Sequence, residues 1–88
     1  MLHIITHIAA VNPGGFTVDC CFDQSASLRR IPLVDLVQEL AQAPHLAQLA
    51  EPAFFARVAL NAYGTLVWPN EVDFCPDVLY ARSQPVEE

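Results

Sequence analysis

Apolar residues along this chain recur first at every second position, then at every third or fourth, then at every second again. Leu2 to Val11 is rich in Ile and Val and predicts a strand. Asn12-Pro13-Gly14-Gly15 follows as a hairpin turn, its glycines expected to supply the positive φ such turns need. Phe16 to Phe22 then alternates: Phe16, Val18, Cys20 and Phe22 share one face, while Thr17, Asp19 and Cys21 share the other. Asp23-Gln24-Ser25 is a second turn, and Leu28 to Ile31 a third short strand with solvated arginines. Past Pro32 the period changes. Leu33, Leu36, Val37 and Leu40 make one helical stripe, which predicts a helix from Leu33 to Gln42 that Pro44 ends. His45 to Ala50 extends this by one more helical turn before Pro52.

Alternation returns at Phe54 to Ala62, read as a fourth strand with Phe54, Ala56, Val58, Leu60 and Ala62 buried and Arg57 and Asn61 outward. Tyr63-Gly64 turns the chain into a fifth strand, Thr65 to Trp68, which packs Leu66 and Trp68 on one side. Pro69-Asn70-Glu71 is a further turn and Val72 to Phe74 a short extension. Cys75-Pro76-Asp77 opens a terminal helical turn that folds Val78, Leu79 and Tyr80 onto the core. The expected fold is α+β, a small antiparallel sheet in the order β-β-β-α-β-β with one main helix on its apolar face. One domain is expected over residues 1–82, with 83–88 as a flexible acidic tail.

Composition narrows the chemistry. With 88 residues the core is thin, although 53% of residues are hydrophobic. Ten acidic residues against four basic ones give a formal net charge of −6, and there is no lysine. Such a surface is poorly matched to nucleic acid, which binds by replacing counterions with Lys and Arg; it is better matched to a basic protein or simply serves solubility. No apolar run is long enough to span a membrane, and the N-terminus has neither the basic start nor the cleavage site of a signal peptide, so a cytoplasmic location is expected. Three cysteines, two of them adjacent, do not make a disulfide framework.

No catalytic, cofactor-binding or metal-binding set emerges. His3 and His7 on one strand would stand roughly 13 Å apart, too far to share an ion, and both are read as surface residues. Cys20 and Cys21 point to opposite faces. Cys75 stands before a helix start, where a thiolate gains from the helix dipole, but it has no histidine near it in sequence. Asp73 and Asp77 bracket that cysteine as an acid–base pair or, more simply, as helix caps. Trp68 and Tyr80 either close the core or mark an interface. The candidate interaction surface is therefore Trp68, Asn70, Asp73, Asp77 and Tyr80.

The stretch Tyr63-Gly64-Thr65-Leu66-Val67-Trp68-Pro69-Asn70, followed by Asp73 and by Pro76-Asp77-Val78-Leu79-Tyr80, resembles the closing signature of a bacterial family catalogued as domain of unknown function 2442. The body is similar more loosely, through its hairpin, its helix after Ile31-Pro32 and the Phe55 to Val58 spacing. Glu71 departs from the pattern, because a glycine is expected after Asn70; either a wider turn or a left-handed Asn70 would accommodate it. The resemblance implies a compact α+β domain, found alone or ahead of a helix-turn-helix domain. This chain is expected to hold the first part only. Stand-alone members are often encoded beside a second small protein, family 4160, in an arrangement similar to a toxin–antitoxin pair, and the family supplies no catalytic residue. Two functions are thus expected in competition. One is a non-enzymatic protein-interaction domain, an antitoxin-like partner of a neighbouring-gene protein, with or without homodimerisation. The other is a ligand-sensing regulatory domain whose pocket Trp68, Tyr80 and the helix would line. An enzyme using Cys75 or the aspartates is the third reading.

Overall fold

A computed structural model describes residues 3–86. Strands β1 (Ile5–Asn12) and β2 (Thr17–Phe22) form the expected hairpin, with Asn12 opposite Thr17 and Ile5 opposite Phe22. Two register shifts, between Ile5 and His7 and between Ile8 and Ala10, kink β1. The turn is built differently from expectation. Neither Gly14 nor Gly15 takes a positive φ; Phe16 does, at 53°. The cost of that conformation is offset by what it secures. The Phe16 carbonyl accepts a hydrogen bond from Leu33 N at 2.9 Å, and its ring meets Phe55 edge-on at 5.1 Å.

Strand β3 (Arg29–Pro32) pairs with β2, placing Val18 opposite Ile31. The stripe Leu33, Leu36, Val37, Leu40 becomes helix α1 (Val34–Leu40), with Leu33 and Val37 fully buried. Pro44 and Pro52 each start a new turn of helix rather than merely stopping the last. Pro44 opens a 3₁₀-helix (Pro44–Ala50) that buries Leu49, and Pro52 opens helix α2 (Pro52–Phe55). This overturns the expected strand over Phe54 to Ala62. Only Ala59–Leu60 is extended, as strand β4. Phe55 is the residue that reaches the core, whereas Ala56, Leu60 and Ala62 are exposed. Proline has its φ preset for a first helical turn, and that preference wins over a chance alternation.

Strand β5 (Leu66–Val67) pairs with β4 as a separate two-stranded ribbon, and Leu66 and Trp68 are buried on its inner side as expected. Helix α3 (Pro76–Arg82) buries Leu79 but leaves Val78 47% exposed, so Val78 is not a core residue. Residues from Ser83, read as a tail, return to the sheet. Ser83 is buried, strand β6 (Gln84–Pro85) pairs with β3, and Val86 N donates to Leu28 O at 3.0 Å. Glu87 and Glu88 lie outside the described residues. The main sheet thus runs β1-β2-β3-β6, and the fold is α+β around a small antiparallel sheet. Its core joins Ile5, Val18, Phe22 and Ile31 of the sheet to Leu33, Phe55, Trp68 and Leu79.

Candidate functional site

The five residues singled out from sequence separate into three environments. Trp68 is 2% exposed, and its indole N–H donates to the Phe55 carbonyl at 3.0 Å. Phe55 and Phe74 pack against its ring, both at 5.6 Å between centroids. It is a core residue and lines none of the surface grooves described below. Asn70 braces its own turn: Oδ1 accepts from Val72 N at 3.3 Å, while Nδ2 is buried without a protein acceptor. The left-handed position in that turn is taken by Glu71 itself, at φ 67°, and not by Asn70.

Neither aspartate caps α3, whose N-cap is Cys75 and carries no side-chain cap bond. Asp77 Oδ1 instead accepts from His3 N at 2.8 Å, tying the start of the described chain to α3. Asp73 is exposed and bridges Val67 through its backbone. It lines a shallow groove of about 240 Å³ together with Asn61, Tyr63, Phe74 and Cys75. Tyr63, which the sequence reading passed over as a turn residue, is 76% exposed there. Its position is fixed from below. Asn61 Oδ1 accepts from Tyr63 N at 2.9 Å and from Thr65 N at 3.2 Å, and Gly64, at φ 78°, passes its carbonyl to Ile5 N at 2.7 Å.

Tyr80 is the centre of a second cluster, assembled from distant parts of the chain. His3 stacks on its ring at 3.7 Å and 7°, so His3 is not the free surface residue expected. The Arg29 guanidinium lies 4.5 Å from the ring centroid and therefore takes the other face. Arg29 is not simply solvated either: Nε donates to Ser83 Oγ at 2.7 Å and Nη2 to Ser83 O at 3.1 Å. His3 Nδ1 meets Asp23 Oδ2 at 2.7 Å, and Ile4 N donates to Asp23 Oδ1 at 2.9 Å. These bonds hold the Asp23 carboxyl below its ordinary pKa, the His3 bond first and the Ile4 amide second. Asp23, Ser25, Ser27, Arg29 and Tyr80 line a cavity of about 300 Å³. The sequence offered no signal for this cluster beyond Tyr80, because its members meet only through the tertiary fold.

Electrostatic pairing elsewhere is simple. Arg30 binds Asp19 and Arg82 binds Asp35, each at 2.8 Å, and Arg82 lowers the Asp35 pKa. Among the described residues, Glu39, Glu51, Glu71 and Asp73 have no ion-pair partner. Burial pushes the Cys20 thiol up to about 12; Cys21 is buried too, despite its place on the opposite face, and Cys75 is exposed. No group of three or more potential metal ligands occurs among the described residues, and none of their helices is long and apolar enough to cross a membrane.

A family model described as a protein of unknown function (DUF2442) matches residues 29–85. No curated protein matches the chain. No solved structure matches it either.

Proposed function

Since the chain belongs to the DUF2442 family, whose description assigns no activity, we propose a role from its surface: a non-enzymatic protein-interaction domain that docks a basic segment on the Tyr63–Asp73 face. One observation carries this reading. A tyrosine that is 76% exposed stands beside a carboxylate with no ion-pair partner, on a chain of formal net charge −6. Of the four arginines, Arg29, Arg30 and Arg82 are engaged within the fold, and none of the four lines that groove. An exposed aromatic face next to a carboxylate suits an incoming Arg or Lys, which gains from both the ring and the charge. The partner in this reading is a small basic protein, and the antitoxin-like form makes it the product of an adjacent gene.

Co-expression with the adjacent gene product, followed by size exclusion, tests it. The wild type is expected to co-elute, and a folded Tyr63→Ala/Asp73→Asn variant is expected not to. If the wild type elutes alone, the antitoxin-like form is rejected; if the variant co-elutes equally well, the face is wrong. The second reading, a ligand-sensing domain, is favoured by the cavity at Tyr80 and Arg29, with Trp68 taking no part in it.

A further inference from the structure

We propose that the groove between the β2–β3 turn and α3 binds a small zwitterion of the α-amino-acid type with an apolar side chain. This inference rests on the ligand-sensing reading and names its ligand class. Arg29 supplies the anion-binding half. Its guanidinium is held in place by Ser83 and by the Tyr80 ring, yet it has no carboxylate partner among the described residues. Ser83 accepts from Nε and Nη2 only, so the N–H groups of Nη1 remain for a ligand carboxylate. Holding the fork in advance lowers the entropic cost of engaging an anion. The Ser25 hydroxyl oxygen accepts from Ser27 N at 3.1 Å, which leaves its proton to donate, and the Ser27 hydroxyl lines the same cavity.

Asp23 supplies the opposite charge on the same cavity. Each of its oxygens already accepts one hydrogen bond, from His3 or from Ile4, and each keeps a second lone pair. Its side chain is 43% exposed, so an ammonium group can reach it. A phosphate dianion is disfavoured, because the cavity is lined by one guanidinium and also by a carboxylate. Phe22, Leu28 and Pro85 form an apolar wall, and both faces of the Tyr80 ring are already covered. The ligand body that fits is therefore aliphatic and packs on that wall, not on the tyrosine. The cavity, about 300 Å³, is at the small end for ligand sites.

The probes are free L-leucine, L-valine and L-methionine, their N-acetyl and carboxamide derivatives, and uncharged aliphatic alcohols. Amide chemical shifts of the ¹⁵N-labelled full chain are the readout. The expected result is a saturable shift at Ser25, Ser27 and Arg29 with a free amino acid, lost when either charge is blocked. Asp23→Asn should erase the preference for the free ammonium. Arg29→Gln should weaken binding on the order of tenfold to a hundredfold, as for a lost charge-assisted hydrogen bond. Because Arg29 also braces Ser83, Ser27→Ala serves as the variant that leaves the fold alone, and it too should weaken binding. Equal binding of the N-acetylated or carboxamide forms overturns the zwitterion. Shifts at these amides with the alcohols but not with amino acids overturn it while keeping a ligand groove. No shift with any probe at millimolar concentration overturns both.

Discussion

Gly64 offers the most decisive test of how the signature segment is built. Its φ is 78°, and a Cβ placed there would lie 2.7 Å from Ile4 Cβ and 3.1 Å from Ile4 Cγ2. The left-handed conformation costs an alanine about 1–2 kcal/mol. Cβ of Ile4 is fixed to its backbone and cannot rotate away, so relieving the clash needs a backbone shift, at about 1–3 kcal/mol for an overpacked site. Gly64→Ala should therefore destabilise by about 2–5 kcal/mol, a large share of what a domain of this size has. Relief by movement would also stretch the Ile5 N to Gly64 O bond, now 2.7 Å, which ties the β4–β5 ribbon to β1.

Urea unfolding followed by fluorescence of Trp68, the one tryptophan, reads this change. At about 4–8 °C per kcal/mol, Tm should fall by at least about 8 °C. Repeating Gly64→Ala in an Ile4→Gly background removes the clashing carbon. The cost should then shrink to the conformational part, about 1–2 kcal/mol. A cost below about 0.5 kcal/mol, within the range of an ordinary surface change, would refute the packing described. So would an identical cost in both backgrounds.

Three further outcomes follow from the same contacts. Trp68→Phe removes one of the two hydrogen bonds that the Phe55 carbonyl accepts, the other coming from Val58 N at 3.2 Å, and leaves a void beside it, so it should cost about 1–3 kcal/mol by circular dichroism; a neutral change would show that the indole bond is unimportant. Asp23 and Asp35 have folded pKa values lowered by His3 and Arg82 respectively, so each contributes stability that is present above the unfolded value of about 3.9 and lost as pH falls through the folded value. An Asp23→Asn/Asp35→Asn variant should lose less stability than the wild type between pH 5 and pH 2, and parallel acid curves would contradict the assignment. At pH 8 a thiol reagent should modify Cys75 alone in the native protein, since Cys20 and Cys21 are buried and the Cys20 thiol is pushed up to about 12. Rapid native reaction of a Cys75→Ser variant would show that the buried pair is accessible.

What the sequence made legible were the elements set by local rules. The β1–β2 hairpin follows from alternation and a Pro-Gly turn, and α1 from the Leu33 to Leu40 stripe. The strand expected over Phe54 to Ala62 failed because alternation and a one-turn helix place Phe55 differently, and Pro52 was the local cue that decided between them. Phe16, in place of a glycine, is held by its tertiary contacts with Leu33 and Phe55, which no local preference reveals, whereas Glu71 takes its left-handed position within a local turn closed by Glu71 N to Trp68 O at 2.9 Å. Of the candidate site, Asp73 and Tyr80 line surface grooves, Trp68 and Asn70 are structural, and Asp77 anchors His3. Tyr63 was hidden by its place in a turn. His3, Asp23, Arg29 and Ser83 converge on Tyr80 only after sheet and helix have packed, so residues far apart in sequence carried no shared pattern.

The central claim, that Tyr63 and Asp73 form the docking face for a basic partner, is tested most directly by titrating the ¹⁵N-labelled protein with acetylated tetra-arginine and following every amide. Shifts concentrated between Asn61 and Pro76, and abolished by Tyr63→Ala/Asp73→Asn, are the predicted result. Shifts centred instead on Glu39 or Glu51, or unchanged in the double variant, would contradict it.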